Sequence, residues 1–385
     1  MLQGADKTGI YRNLFSEIGL SGSEIEERLE SAVQTFFFDE TERVYHETAP
    51  DMGYITDTGN NDARTEGMSY GMMMCVQLDR KDLFDRIWKW AKTFMWIDEG
   101  ENEGYFAWSC ATDGTKNAHG PAPDGEEFFA MALFFAAHRW GSGEGIFDYD
   151  KEARAILSAC LHKGENGRPG ASMWNRENAQ ILFVPGCPFT DPSYHLPHFY
   201  ELFARWADEG DRPFWVKAAR ASREYLASAC HPLTGLNPEY GNFDGSPMDE
   251  ELSWGQHGWF YSDAYRTPAN IGLDAVWFGG DAGHLSAPLR MMRFFGTDLE
   301  AVRVVRKVDG TPVEQPVLHP LGLLAGIAQG ALAVPQDAPE EDRTLAARWV
   351  RWFWEQPLRK GERRYYDNCL YLFAMLALSG RYRIW

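Results

Sequence analysis

The chain lacks a long apolar run, a basic cluster and a paired-cysteine motif, and each gap removes a class of function. No stretch approaches the ~20 apolar residues that a membrane span needs. The opening MLQGADKTGIYRNLF has no charged region followed by an apolar core, so we expect no secretory leader and a cytoplasmic location. The six cysteines (Cys75, Cys110, Cys160, Cys187, Cys230, Cys369) are scattered without a CxxC pair, which fits buried free thiols and not a disulfide framework. Lys and Arg number 37 against 56 Asp and Glu, a net charge of -19, and no basic run exceeds a pair. Nucleic acid and anionic membrane are poor partners for such a surface, whereas a neutral ligand is not excluded. There is no Pro/Gly/Ser-rich linker and no shift of composition, so residues 1–385 are expected to form one domain. Nothing in the sequence sets the oligomeric state, and a monomer is compatible with it.

What the chain has in excess is aromatic residues: 15 Trp, 16 Tyr and 24 Phe. Most of the Phe must fill the core. Tyr105 and Trp108 in EGYFAWS, Trp174 in SMWN and Tyr240 in PEYGN stand in loop-like stretches instead. Sugar rings have flat apolar faces edged by hydroxyls, and an aromatic plate beside a carboxylate suits both surfaces.

The hydrophobic periodicity predicts twelve helical segments. The first spans Ser21–Phe38, with a capping-box pattern at Ser23–Glu26. The second starts near Glu66, and the third covers about Asp82–Trp96. Later starts fall near Asp124, Asp148, Leu196, Pro213, Asp263, His284, His319, Pro339 and Tyr366, with Asp124, Asp148 and Asp263 read as N-caps and Pro320 at a first helical position. EEFFAMALFFAAH, HPLGLLAGIAQGALAV and NCLYLFAMLALSG are apolar on nearly every side and belong inside; EEDRTLAARWVRWFWEQ keeps a charged face and belongs outside. Alternation of the two kinds predicts an all-α fold, an (α/α)6 barrel of six inner and six outer helices. An α-solenoid would show a tighter period.

In that arrangement Glu66, Asp124, Tyr194, Asp263, His319 and Asp367 each stand directly before an inner helix, around one opening. Glu66 in DARTEGMSYGMMM has an ordinary reading as a first-turn carboxylate, which the helix dipole favours in its charged form. A general acid needs the opposite, so burial or a neighbouring carboxylate, Asp124 or Asp62, must raise its pKa. Asp263 in FYSDAYRTPAN has Arg266 three residues on and Tyr261 and Tyr265 beside it, a setting for an ionised general base. Asp124 in GPAPDGEEFF reads equally as a cap or as a functional group. His195 and His198 have a spacing that could hold a metal, but no matching third ligand follows, and none is expected to bind. Two carboxylates flanking a glycosidic bond are the generic glycosidase requirement, and a separation of ~6.5–9.5 Å lets water in and inverts the product.

TEGMSYGMM, PAPDGEE, FYSDAYR and RRYYDNCLYLFAMLALSG, in this order and over nearly the whole chain, resemble glycoside hydrolase family 8. Within it the likeness is strongest to members that release xylose from the reducing end of xylo-oligosaccharides. The resemblance implies an (α/α)6 barrel, an inverting mechanism and no metal or organic cofactor. It places the proton donor on Glu66, the base on Asp263 and the holder of the distorted sugar on Asp124. It also implies that Tyr194 stands near the nucleophilic water, that His319 recognises the reducing-end sugar, and that Arg266 and Trp108 line the cleft. The rival readings are an endo-acting xylanase, β-glucanase or chitosanase, a sugar epimerase or lyase on the same toroid, and a non-catalytic oligosaccharide-binding protein.

Overall fold

The computed structural model describes residues 2–280 and 283–385. It is mostly helical. Its twelve longer helices among the described residues are α1 (Gly22–Phe38), α2 (Thr65–Leu78), α3 (Lys81–Trp90), α4 (Pro123–Trp140), α5 (Tyr149–His162), α6 (Pro197–Trp206), α7 (Arg212–Ala229), α8 (Arg266–Phe278), α9 (Ala287–Phe295), α10 (Pro320–Gly330), α11 (Glu340–Glu355) and α12 (Arg364–Leu378).

The even-numbered helices form a closed cycle of neighbours: α2 packs on α4, α4 on α6, α6 on α8, α8 on α10, α10 on α12, and α12 returns to α2. Each is backed by an odd-numbered helix, α3, α5, α7, α9 and α11 behind the first five and α1 behind α12. Burial follows the same division. Every residue of α12 from Tyr365 to Leu378 is buried, whereas α11 buries only Asp342, Ala346, Trp349, Val350 and Phe353, one stripe at helical spacing. Glycines let the inner helices close on one another. A Cβ at Gly326 of α10 would lie 2.1 Å from the Tyr265 carbonyl oxygen, and one at Gly272 of α8 would lie 2.4 Å from that of Gln329. Gly326→Ala is therefore expected to force backbone apart and destabilise the protein by about 1–3 kcal/mol. A melting temperature equal to the parent's would show that the ring tolerates the methyl group.

Several local readings need correction. The capping box is made by Ser21 and Glu24, two residues earlier than expected. The α-helix of the third segment stops at Trp90, and Ala91–Met95 continues as a π-turn. The segment read from His284 opens with a 3₁₀ turn at Gly283–Ser286 and becomes α-helical at Ala287. Asp124 is not a cap: Pro123 takes the first helical position and Asp124 lies within the first turn. Glu66 and Asp367 likewise sit inside their first turns, while Asp148 and His319 occupy cap positions without a side-chain capping bond.

An all-helical reading also missed the strands. β1 (Tyr45–Ala49), β2 (Met52–Asp57), β3 (Asp62–Arg64) and β4 (Ser109–Ala111) form an antiparallel sheet in sequence order, with Tyr45 opposite Ile55, Thr56 opposite Ala63 and Arg64 opposite Ser109. A second antiparallel sheet pairs β5 (Trp259–Phe260) with β6 (Val304–Lys307), and β6 with β7 (Pro312–Pro316). Strands this short carry too few residues for a period-2 signal to stand out. They matter because β3 ends at the residue before α2 and delivers Glu66, while β5 ends three residues before Asp263.

Candidate active site

Four carboxylates surround one guanidinium at the N-terminal ends of the inner helices. Arg266 opens α8 and is 4% exposed. Its Nη1 donates to Glu66 Oε2, Asp124 Oδ2 and the Tyr70 hydroxyl, each at 2.9 Å. Its Nη2 lies 3.3 Å from Asp263 Oδ1 and 3.7 Å from Asp191 Oδ2. A buried cation is tolerable only when anions and hydrogen bonds replace its water, which explains why these acids converge on it.

Glu66 Oε1 accepts a 2.8 Å hydrogen bond from the Tyr365 hydroxyl of α12. Burial pushes the Glu66 carboxyl up to about 7. Arg266 pulls it down, the charges of Asp124 and Asp263 push it up again, and the Tyr365 hydrogen bond lowers it. Burial with two neighbouring acids thus outweighs the cation, the reverse of what a first-turn position alone dictates. Of the two neighbours considered from the sequence, Asp124 acts on Glu66; Asp62 does not, being bound to Arg64 at 3.1 Å and to the Ser109 hydroxyl at 2.7 Å.

Asp124 Oδ1 accepts the Gly125 amide at 2.9 Å, and burial raises its pKa against the pull of Arg266. Asp263 sits in a 3₁₀ turn, Ser262–Tyr265, ahead of α8 and not as a bare cap. Its side chain is 25% exposed, against 7% for that of Asp124, so it is the most open acid on Arg266. Ser262 before it has φ +38°, a conformation that costs an L-residue energy. The Tyr366 hydroxyl holds the Ser262 carbonyl at 3.1 Å.

The other expected residues divide. Tyr194 is buried, with the Arg266 guanidinium 5.5 Å from its ring centroid. His319 Nδ1 lies 3.1 Å from Asp367 Oδ2, and its ring packs edge-on to Tyr366. Asp367 serves His319 in this way, also accepting the Gly322 amide at 2.6 Å and pairing with Arg359. Trp108 is 39% exposed, with Arg64 5.2 Å from its ring centroid, beside the strand that leads to Glu66. The remaining loop aromatics are core: Tyr105, Trp174 and Tyr240 are all buried. His195 is tied to Thr190 and Ser222, at 3.0 and 2.9 Å, while His198 packs on Phe199 and Trp277.

Sequence reading missed Asp191 and the buried pair Glu126 and Glu127. Asp191 had a local signal, since its Oδ1 caps Ser193 in an Asp-Pro-Ser turn at 2.7 Å. Glu126 had none. It accepts the Phe106 amide at 3.0 Å, and burial drives its carboxyl up to about 8.

Comparison with known proteins gives the family. The family model described as glycosyl hydrolases family 8 matches residues 34–380. The reducing end xylose-releasing exo-oligoxylanase of Halalkalibacterium halodurans is 56% identical, over 100% of this chain and 96% of its own length. The reducing-end xylose-releasing exo-oligoxylanase Rex8A of Paenibacillus barcinonensis is 53% identical, over 100% and 99%. A crystal structure of a reducing end xylose-releasing exo-oligoxylanase superposes with a TM-score of 0.94 at 55% identity, covering 100% of this chain and 98% of that one. With a family match over most of its length and full-length relatives above half identity, the chain belongs to family 8 of the glycosyl hydrolases.

Proposed function

We propose that the protein releases xylose from the reducing end of β-1,4-xylo-oligosaccharides by inverting hydrolysis, as a cytoplasmic enzyme acting on short oligomers. The observation that carries the reading is the set of three acids, Glu66, Asp124 and Asp263, gathered on Arg266 with unequal burial. In this reading Glu66, favoured in its protonated form, gives its proton to the leaving glycosidic oxygen as the C–O bond breaks. Asp263 takes a proton from the water that attacks the anomeric carbon from the opposite face. One guanidinium spans the two carboxylates, and that spacing admits the ~6.5–9.5 Å separation of inverting enzymes. Asp124 holds the central sugar in a distorted ring shape, and Tyr194 stands by the water. The acid and base complete the reaction without a metal or organic group.

His319 supplies the exo preference. Its Nδ1 faces the Asp367 carboxylate and donates to it, which fixes the ring and leaves Nε2 to meet a hydroxyl of the reducing-end sugar. Trp108 and Arg266 line the cleft. Residues 1–385 make one catalytic domain, and the closed cycle of inner helices with its outer partners is read as an (α/α)6 barrel. The substrate is the one named for the full-length relatives at 53% and 56% identity.

Xylotriose carrying a carbon label in its reducing-end sugar tests the reading. Label in free xylose is the expected result. Label in xylobiose would mean cleavage from the other end and remove the role given to His319. Intact xylotriose would reject the substrate and favour glucan, chitosan or an epimerase reaction.

A further inference from the structure

Asp263 lies on a short turn whose preceding residue is strained, yet a general base must be held to within ~0.5 Å of its productive position. Something outside the turn has to supply that order. Tyr366 fixes the Ser262 carbonyl on one side. On the other, the Asp263 amide donates to Glu239 Oε1 at 3.4 Å. Glu239 is 4% exposed, and its second oxygen is taken by His257 Nδ1 at 2.6 Å. The Tyr240 ring stacks over His257 at 4.3 Å and 15°. Backbone bonds from Glu239 to Trp259 and from Tyr240 to His257, both 2.8 Å, lock the two segments together. None of these residues hydrogen-bonds Arg266, and a buried carboxyl is tolerable only when hydrogen bonds replace its water, which the Asp263 amide and His257 do here.

We propose that Glu239, backed by His257, is a positioning residue that orients the Asp263 turn for attack by water. The proposal rests on the reading of Asp263 as the base. It acts through the backbone: the Glu239 carboxylate fixes the Asp263 amide, His257 fixes the carboxylate, and Tyr240 fixes the imidazole.

Steady-state kinetics on xylotriose, with melting curves, test it in four variants. Glu239→Ala is expected to lower kcat about 10²-fold, with KM within about threefold of the parent, because misplacing a reacting group by about 1 Å has that effect on chemistry. Glu239→Gln keeps an oxygen for the Asp263 amide and offers an N–H to His257, whose Nδ1 accepts it in the other tautomer, and should recover at least about tenfold of the loss. His257→Phe keeps the stack on Tyr240 and loses only the bond to Glu239, so its kcat should fall between the two. A parental kcat in Glu239→Ala, or a Glu239→Gln no better than Glu239→Ala, overturns the proposal. If Glu239→Ala does not fold, a parental kcat in His257→Phe overturns it instead. Asp263→Ala is the control: if it stays active, the reading of the base fails, whereas an inactive Asp263→Ala beside a fully active Glu239→Ala rejects the positioning role alone.

Discussion

Glu66→Ala is expected to slow xylose release from xylotriose by about 10²–10⁴-fold, the usual worth of a positioned acid. The fold should survive the change, because Arg266 loses one of its acids but keeps Asp124 and Asp263, and the Tyr365 hydroxyl loses an acceptor. Circular dichroism should therefore match the parent. The acid role has a second signature. The parent carboxyl, raised to about 7 by burial, gives up its proton as pH climbs through that value, so kcat/KM should fall tenfold per unit above it. Glu66→Ala should lack that alkaline limb. A third follows from the chemistry of the leaving group. Fluoride departs with little protonation, so β-xylobiosyl fluoride should be turned over by Glu66→Ala at close to the parental rate. A variant as slow on the fluoride as on xylotriose would remove Glu66 from the acid's place.

Asp263→Ala is expected to be at least as damaging, by about 10²–10⁴-fold, and in a different pattern. Its substrate still has an acid to protonate the leaving oxygen, but water is no longer activated. The better leaving group therefore gives no rescue, and β-xylobiosyl fluoride should be as poor a substrate relative to the parent as xylotriose is. Stability should change little, since Asp263 is the most exposed acid on Arg266, which retains Glu66, Asp124 and Asp191. The two variants form a crossed test: a fluoride rescue seen in Asp263→Ala and not in Glu66→Ala would exchange the two roles.

The helical frame was legible because apolar runs such as those in α4 and α12 are long and uniform, and the burial they reach in the structure follows directly from that composition. Their starts were read to within three residues, but the capping chemistry was misassigned. Asp124 looks like a cap in sequence, yet Pro123 ahead of it already satisfies the first helical position, which leaves the acid free to face Arg266. Glu66, Asp124, Asp263 and Arg266 were named from local context. That they share one guanidinium is a matter of 200 and 142 residues of separation, which no local pattern encodes. Tyr105, Trp174 and Tyr240 failed for the opposite reason. They lie outside helices but pack into the interior, and a loop-like neighbourhood says nothing about which way a ring points.

The contact between Tyr365 and Glu66 joins residues 299 apart, and the same pair of helices, α12 and α2, closes the inner cycle. A chain is made from its N-terminus at about 5–20 residues per second, so Glu66 waits many seconds for that partner to emerge. Until then the face of α2 that α12 covers lacks that neighbour, and the Glu66 carboxyl lacks the Tyr365 hydroxyl. In the proposed reading, the acid therefore gains its α12 partner late in synthesis. A chain stopped before Tyr365 would leave the inner cycle open between α10 and α2 and Glu66 without its hydroxyl partner.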